Sequence, residues 1–333
     1  MKRVLFLLMS LALLSSCEKE IEFNGEQSDP QLVINSLVES GQPIKAYISK
    51  SYFFLDAPDT STPEDLVASL YVNGNHIGEM TPFFDTVWDY YGLVSYRLIP
   101  CFYHDYRPQT GDIVKIKASA NGFDDAEGVT SALPNTMDFQ YNIEVIDWLG
   151  GYYFPYDDSD IDSVLRIDGQ LELSINITDP NPREIDYFRL VSDRRSRTQD
   201  GESWFYVYFD YDDPIFGVGV TENDIFDAGD LDTRAEGVFT DVLFDGNSYR
   251  LKVKVHFSCQ GAEGFDPDFF RAPCLLEHLS KEYYNYLNTC NQGDEINALF
   301  AEPIQTYSNV KGGYGIVAGH TVDTLWCAIP LEE

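Results

Sequence analysis

The chain has 333 residues, with 55 Asp and Glu against 22 Lys and Arg, a formal net charge of -33, and is 44% hydrophobic and 14% aromatic. A surface this negative repels nucleic-acid phosphate, whose binding draws on Lys and Arg, and it repels anionic lipid headgroups too. The apolar and aromatic content excludes a disordered acidic tail, and the length suggests two domains.

Met1-Lys2-Arg3 is a short basic start, Val4 to Leu14 is an uncharged apolar run broken only by Ser10, and Leu14-Ser15-Ser16-Cys17 ends in small residues and a cysteine. The run is far shorter than the ~20 residues a membrane-spanning helix needs. Residues 1–16 are therefore expected to be a cleaved signal peptide. Leucine and two small residues before a cysteine form the bacterial lipobox, in which the Cys17 thiol takes a diacylglyceryl group before cleavage. Two or more acyl chains, palmitate among them, hold a protein stably on a membrane.

Residues 17–30 read as a lipidated acidic tether. Its opening, Glu18-Lys19-Glu20-Ile21-Glu22, resembles the Bacteroidota signal that sends lipoproteins to the cell surface, without that signal's two consecutive acidic residues after the lysine. The expected place is the outer membrane, lipid-anchored and facing outward, with a periplasm-facing orientation as the alternative. Losing Lys2 and Arg3 with the signal takes the net charge from -33 to -35.

Residues 31–134 read as an immunoglobulin-like β-sandwich. Leu32-Val33-Ile34 opens a strand, and Ile44, Ala46 and Ile48 alternate with polar residues in the next. Asn73-Gly74 lies between two further strand patterns and accepts the positive φ of a tight hairpin turn. Leu93 to Ile99 makes another strand, and Val114, Ile116 and Ala118 another before a turn at Asn121-Gly122. Strict alternation gives one buried and one wet face, and about seven strands in about 100 residues fit such a sandwich.

Residues 135–333 read as a second antiparallel β-rich domain carrying one short helix. Phe139, Tyr141, Ile143 and Val145, then Leu171 to Ile177, then Tyr249 to Phe257 after the Asp245-Gly246 turn, repeat with period two. Ser280 can cap a helix near 281–290, where Tyr283, Tyr286, Leu287 and Cys290 share a face at spacings of three and four. Tyrosines on such a face are expected as core and rim.

No G-x-S-x-G, H-E-x-x-H, phosphate-loop or dinucleotide motif is present, so the chain is expected not to be an enzyme. His76, His104, His256, His278 and His320 have no short metal spacing and are read as ordinary exposed or satisfied residues. Gly312-Gly313-Tyr314-Gly315 lacks the Lys-Ser/Thr of a phosphate loop and is read as a turn or bulge.

No cofactor is assigned, with calcium as the one candidate. Asp158, Asp160 and Asp162 alternate as calcium ligands do, but Ser163 stands where the helix-loop-helix pattern needs Gly and Gly169 where it needs Glu. Asp210, Asp212 and Asp213, or Asp227, Asp230 and Asp232, are the other acidic loops, and acidity for solubility alone is the competing reading. Trp148, Tyr152, Tyr153 and Tyr156 in an aromatic and acidic loop from Trp148 to Asp162, and Tyr211 and Phe216 in a second loop from Asp210 to Phe216, make the candidate ligand or partner surface, with cover for sheet edges as the alternative. Cys101, Cys259, Cys274, Cys290 and Cys327 show no C-x-x-C, and two disulfides with one thiol left over is the simplest reading, the pairing being open.

The ordered pieces Cys17-Glu18-Lys19-Glu20-Ile21, Leu32-Val33-Ile34-Asn35, Gly111 to Ala118, Leu243-Phe244-Asp245-Gly246, Leu279 to Tyr286, Phe300 to Val310 and Gly312 to Gly319 follow one another along the mature chain. In this the chain resembles the Bacteroidota lipoprotein family known as domain of unknown function 4249. The resemblance implies, by context, an accessory lipoprotein of a TonB-dependent outer-membrane transporter. The expectation is a non-enzymatic binding or accessory component with an unknown ligand and no nucleic-acid partner. An envelope adhesion or structural module is the alternative, and a glycan or peptide hydrolase the third reading.

Overall fold

The computed structural model describes residues 29–53, 57, 59, 61–89, 95–154, 164–192, 204–217, 237–262, 271–290 and 306–328. The described chain is mainly β, as its alternation predicts.

Eight strands precede residue 135: β1 (Leu32–Glu39), β2 (Ile44–Lys50), β3 (Val67–Val72), β4 (Asn75–Glu79), β5 (Thr81–Asp89), β6 (Ser95–His104), β7 (Val114–Ser119) and β8 (Ala126–Val129). They form two layers, β1-β2-β6-β5 against β8-β7-β3-β4. Every second residue of the inner strands points between the layers, and Leu32, Ile34, Ile44, Leu70 and Ile116 are fully buried there. Each such side chain contributes about 1.5–3 kcal/mol by leaving water. The β3–β4 turn has φ of 51° at Asn73 and 80° at Gly74, the double positive φ expected of Asn-Gly.

The remaining strands are β9 (Phe139–Phe154), β10 (Val164–Thr178), β11 (Tyr187–Ser192), β12 (Trp204–Asp210), β13 (Val238–Thr240), β14 (Ser248–Ala262), β15 (Arg271–Leu279), β16 (Val310–Lys311) and β17 (Gly313–Ala328). The sheet β12-β14-β10-β9 packs on the half of the large sheet that runs β13-β11-β15-β17. Leu171, Leu173, Ile175, Leu251 and Val255 from one side meet Phe188, Leu190 and Leu276 from the other.

The two sandwiches are joined by the final strand. β17 runs parallel to β1, with Leu32 opposite Gly313 and Glu39 opposite His320, so an eight-stranded sheet β13-β11-β15-β17-β1-β2-β6-β5 is common to both. On one face of β17, Val317 enters the first core and Leu325 and Cys327 enter the second. Val310 and Val317, which lie in the span the sequence reading gave to the second domain, thus pack on the first. The opposite face of β17 presents Ile316 and Ala318 to helix α1 (Lys281–Cys290), where Tyr283 and Leu287 are buried and Tyr286 packs alongside. Ser280 is the helix cap: its Oγ accepts from the Tyr283 N–H at 3.4 Å and from the Gly319 N–H at 3.1 Å, tying the helix start to β17.

Gly312 is a turn between β16 and β17 with φ of 74°, as expected, but Gly313 and Gly315 are strand residues. A Cβ at Gly315, whose φ is 108°, would stand 2.2 Å from the Ile34 carbonyl oxygen. These glycines let β1 lie directly against β17.

Candidate functional site

The aromatic and acidic residues singled out in the sequence divide into three groups. Trp148, Tyr152 and Tyr153 are not in a loop: they belong to β9, which continues to Phe154 and pairs with β10, Tyr153 opposite Leu165 and Tyr152 opposite Arg166. The partner strand from Val164 onward carries this ladder, with register shifts at Asp168/Gly169 and Gln170/Leu171, into the span the acidic run suggested as a loop. Tyr156, Asp158, Asp160 and Asp162, with Asp227, Asp230 and Asp232, lie outside the described residues, as do Cys17 and the tether up to residue 28.

Tyr211 and Phe216 point inward rather than forming an outer surface. Both pack on the second core; the Tyr211 hydroxyl donates to the Leu190 carbonyl at 2.8 Å, and the Phe216 ring stands edge-on to Tyr211 and Phe239 at 4.8 and 5.4 Å. Pro214 starts a 3-10 turn, Pro214–Gly217, that folds these rings over the sheet edge. The neighbouring carboxylates have local partners. Asp213 accepts from the Tyr249 hydroxyl at 2.6 Å and from the Ile215 and Lys252 N–H groups at 3.0 Å each, and Asp212 pairs with Lys254 at 3.2 Å. Burial and then the Asp213 contact push the Tyr249 hydroxyl up to about 12.

A constellation absent from the sequence reading sits at one end of the second sandwich. Asp179 follows β10, Asp186 precedes β11, and Asp241 follows β13 at the start of a 3-10 turn. They are 6%, 6% and 1% exposed, and one oxygen of each carboxylate lies within 4.8 Å of the others. The backbone holds them in place. Asp179 accepts from the Asn181 N–H at 2.8 Å and from the Gly246 N–H at 2.5 Å, and Asp241 Oδ1 accepts from the Asp186 N–H at 3.1 Å. Asp186 Oδ1 accepts from Asn181 Nδ2 and meets His278 Nε2, both at 2.9 Å. The other His278 nitrogen meets the Asn135 carbonyl at 2.9 Å.

Oδ2 of Asp186, Oδ2 of Asp241 and the buried Thr240 hydroxyl have no hydrogen-bond partner among the described residues. Burial raises the Asp241 carboxyl to about 6, and the charges of Asp186 and Asp179 push it the same way.

A second buried polar group lies under α1. Arg189 and His320 approach Glu277 at 3.7 and 3.3 Å, and Tyr283 stands edge-on to His320 with ring centres 5.4 Å apart. Burial, then the Glu277 charge, pushes the Tyr283 hydroxyl up to about 12. These groups cover the sheet beneath the helix, the core-and-rim role expected of its tyrosines. Cys274 on β15 and Cys327 on β17 are diagonal neighbours, buried in the second core with Sγ atoms 3.0 Å apart. Cys101 is buried in β6.

No curated protein is similar enough to the chain to match it. Among solved structures, the crystal structure of collagen adhesin (CNA) from S. aureus aligns at 9% identity over 90% of this chain and 94% of its own, with a TM-score of 0.13, too low to carry an argument. The family model described as domain of unknown function (DUF4249) matches residues 18–325, from the first residue after Cys17 to the second core's end of β17. The chain therefore belongs to the DUF4249 family.

Proposed function

We propose that this protein is a lipid-anchored, non-enzymatic binding component of a bacterial outer membrane, facing outward, that serves a TonB-dependent transporter. The anchor rests on Leu14-Ser15-Ser16-Cys17 behind a basic start and an apolar run too short to span a bilayer. A net charge of -33 disfavours nucleic acid and anionic lipid as partners and leaves a protein or a neutral or cationic ligand.

The observation that carries the binding reading is the β5–β6 hairpin. Phe102 is buried in the first core, but the residues that follow it outward on the same face of β6, Pro100, Leu98 and Tyr96, are exposed, Leu98 at 57% and Tyr96 at 59%. Phe84, 62% exposed, stands opposite Pro100 on the neighbouring strand. The two strands thus carry exposed apolar side chains out past the sandwich's own core, and a cluster of exposed apolar side chains marks a protein contact.

Detergent extraction of the cells that make the protein, followed by affinity capture, is expected to recover a large β-barrel transporter with it. Phe84→Glu combined with Leu98→Glu is expected to lose that partner while the circular dichroism spectrum keeps its β signal. Recovery of the wild-type lipoprotein alone contradicts the reading, and an attachment defect without a nutrient-specific growth defect on gene deletion moves the role to adhesion.

A further inference from the structure

We propose that Asp179, Asp186 and Asp241 bind one calcium ion, which clamps the two sheets of the second sandwich together at the end where β10, β11 and β13 meet their loops. Three aspartates converge here from three strand ends, and β10 belongs to one sheet while β11 and β13 belong to the other. An ion bound by all three is therefore a cross-link between the layers.

The donors already present account for only some of the carboxylate oxygens. Backbone N–H groups and Asn181 satisfy both oxygens of Asp179, Oδ1 of Asp241 and Oδ1 of Asp186, which fixes the orientation of each group. What is left over is one oxygen on Asp186 and one on Asp241, on side chains more than nine-tenths buried, with no hydrogen-bond donor to either among the described residues. Carboxylate oxygens are acceptors only, and buried ones are almost always paired. An acceptor that no donor reaches, on carboxylates that converge with a third, is the arrangement a cation completes.

The donor set and the burial choose the ion. All the available atoms are carboxylate or hydroxyl oxygens, with Thr240 Oγ1 also buried and without a partner beside Asp241, which suits a hard cation and not zinc or copper. Magnesium demands near-ideal octahedral geometry and dehydrates reluctantly, so it usually keeps several waters, whereas calcium accepts a flexible shell of protein oxygens. A cluster more than nine-tenths buried and lined by protein oxygens therefore suits calcium. The His278 contact to Asp186 Oδ1 is then the outer hydrogen bond that orients a ligating carboxylate.

The test uses the full chain, stripped with a chelator and then titrated with calcium chloride alone by calorimetry at neutral pH, with melting followed in parallel. One site per chain and a rise in melting temperature of at least about 3 °C at saturation are expected. Asp241→Asn, which keeps the acceptor for the Asp186 N–H, is expected to lose the calcium increment and to melt above the stripped wild type, since one of three converging charges is gone. Asp212→Asn, in the exposed pair with Lys254, is expected to keep the increment. Native mass measurement of the wild type alone reports the bound ion if a variant fails to fold. No heat and no shift in the wild type overturn the proposal, as does an increment unchanged by Asp241→Asn. An equal shift with magnesium overturns the choice of calcium.

Discussion

Cys274 and Cys327 illustrate how much a single pair of side chains depends on strand register. The pairing of β15 with β17 sets Cys274 opposite Leu325 and Cys327 opposite Ala272, which puts the two sulfurs on one face, diagonally adjacent and 3.0 Å apart in a core that excludes water. Burial and the second sulfur both push the Cys274 thiol above its ordinary value, the neighbouring sulfur most, so a thiolate is disfavoured there once the core has closed. Exposure to a disulfide-bearing oxidant while the chain folds is expected to join them, each thiol giving up a proton and an electron. Peptide mapping without reductant should return a Cys274–Cys327 cross-linked pair from protein made in its native cells. Full alkylation of both after denaturation contradicts it. The sequence shows five cysteines beyond Cys17 but no way to pair them, because 53 residues separate these two and only the ladder brings them together. The same limit hid the aspartate cluster. Carboxylates at alternate positions of one loop, as at Asp158, Asp160 and Asp162, are visible as a pattern, whereas Asp179, Asp186 and Asp241 come from three strand ends and share no spacing.

Elements whose information is local were readable from the chain. Asn73-Gly74 specifies its turn through the φ values both residues accept, and Ser280 with apolar residues three and four apart specifies α1 over the residues the structure gives it. The start of β17 was not, because glycine signals both a turn and a close approach of backbones. At Gly312 the first holds; at Gly315 the second does, with β1 lying where a side chain would be. Gly315→Ala forces a residue with a Cβ into a φ of 108° and against the Ile34 carbonyl. It is expected to destabilise the protein by on the order of 2 kcal/mol or more, measured by urea unfolding. A change within a few tenths of a kcal/mol of wild type contradicts the parallel β1–β17 pairing. The span from Trp148 onward failed for a related reason: exposed-looking aromatics beside acids read as loop when taken alone, and the pairing with β10 that makes them strand comes from residues further on.

The whole molecule is two sandwiches built around one sheet, and the sequence shows the two halves but not what joins them. Alternation marks the strands on either side of residue 134, while the return of the last strand to lie beside the first is a long-range pairing with no local signature. That arrangement suits the proposed anchor. The tether leads into β1, and β1 is held on one side by β2 and on the other by β17, so the point of attachment is an interior strand of the large sheet and not an edge that can peel away. On the proposed reading, the acidic surface keeps such a body off anionic headgroups while the lipid holds it close. The proposed anchoring depends on the sulfur at position 17. Mass analysis of the processed N-terminus, taken from the membrane fraction of cells that make the protein, is expected to give a peptide beginning at Cys17 and carrying a diacylglyceryl group with at least two acyl chains. An unmodified N-terminus, or a chain that still begins at Met1 in the soluble fraction, contradicts the account.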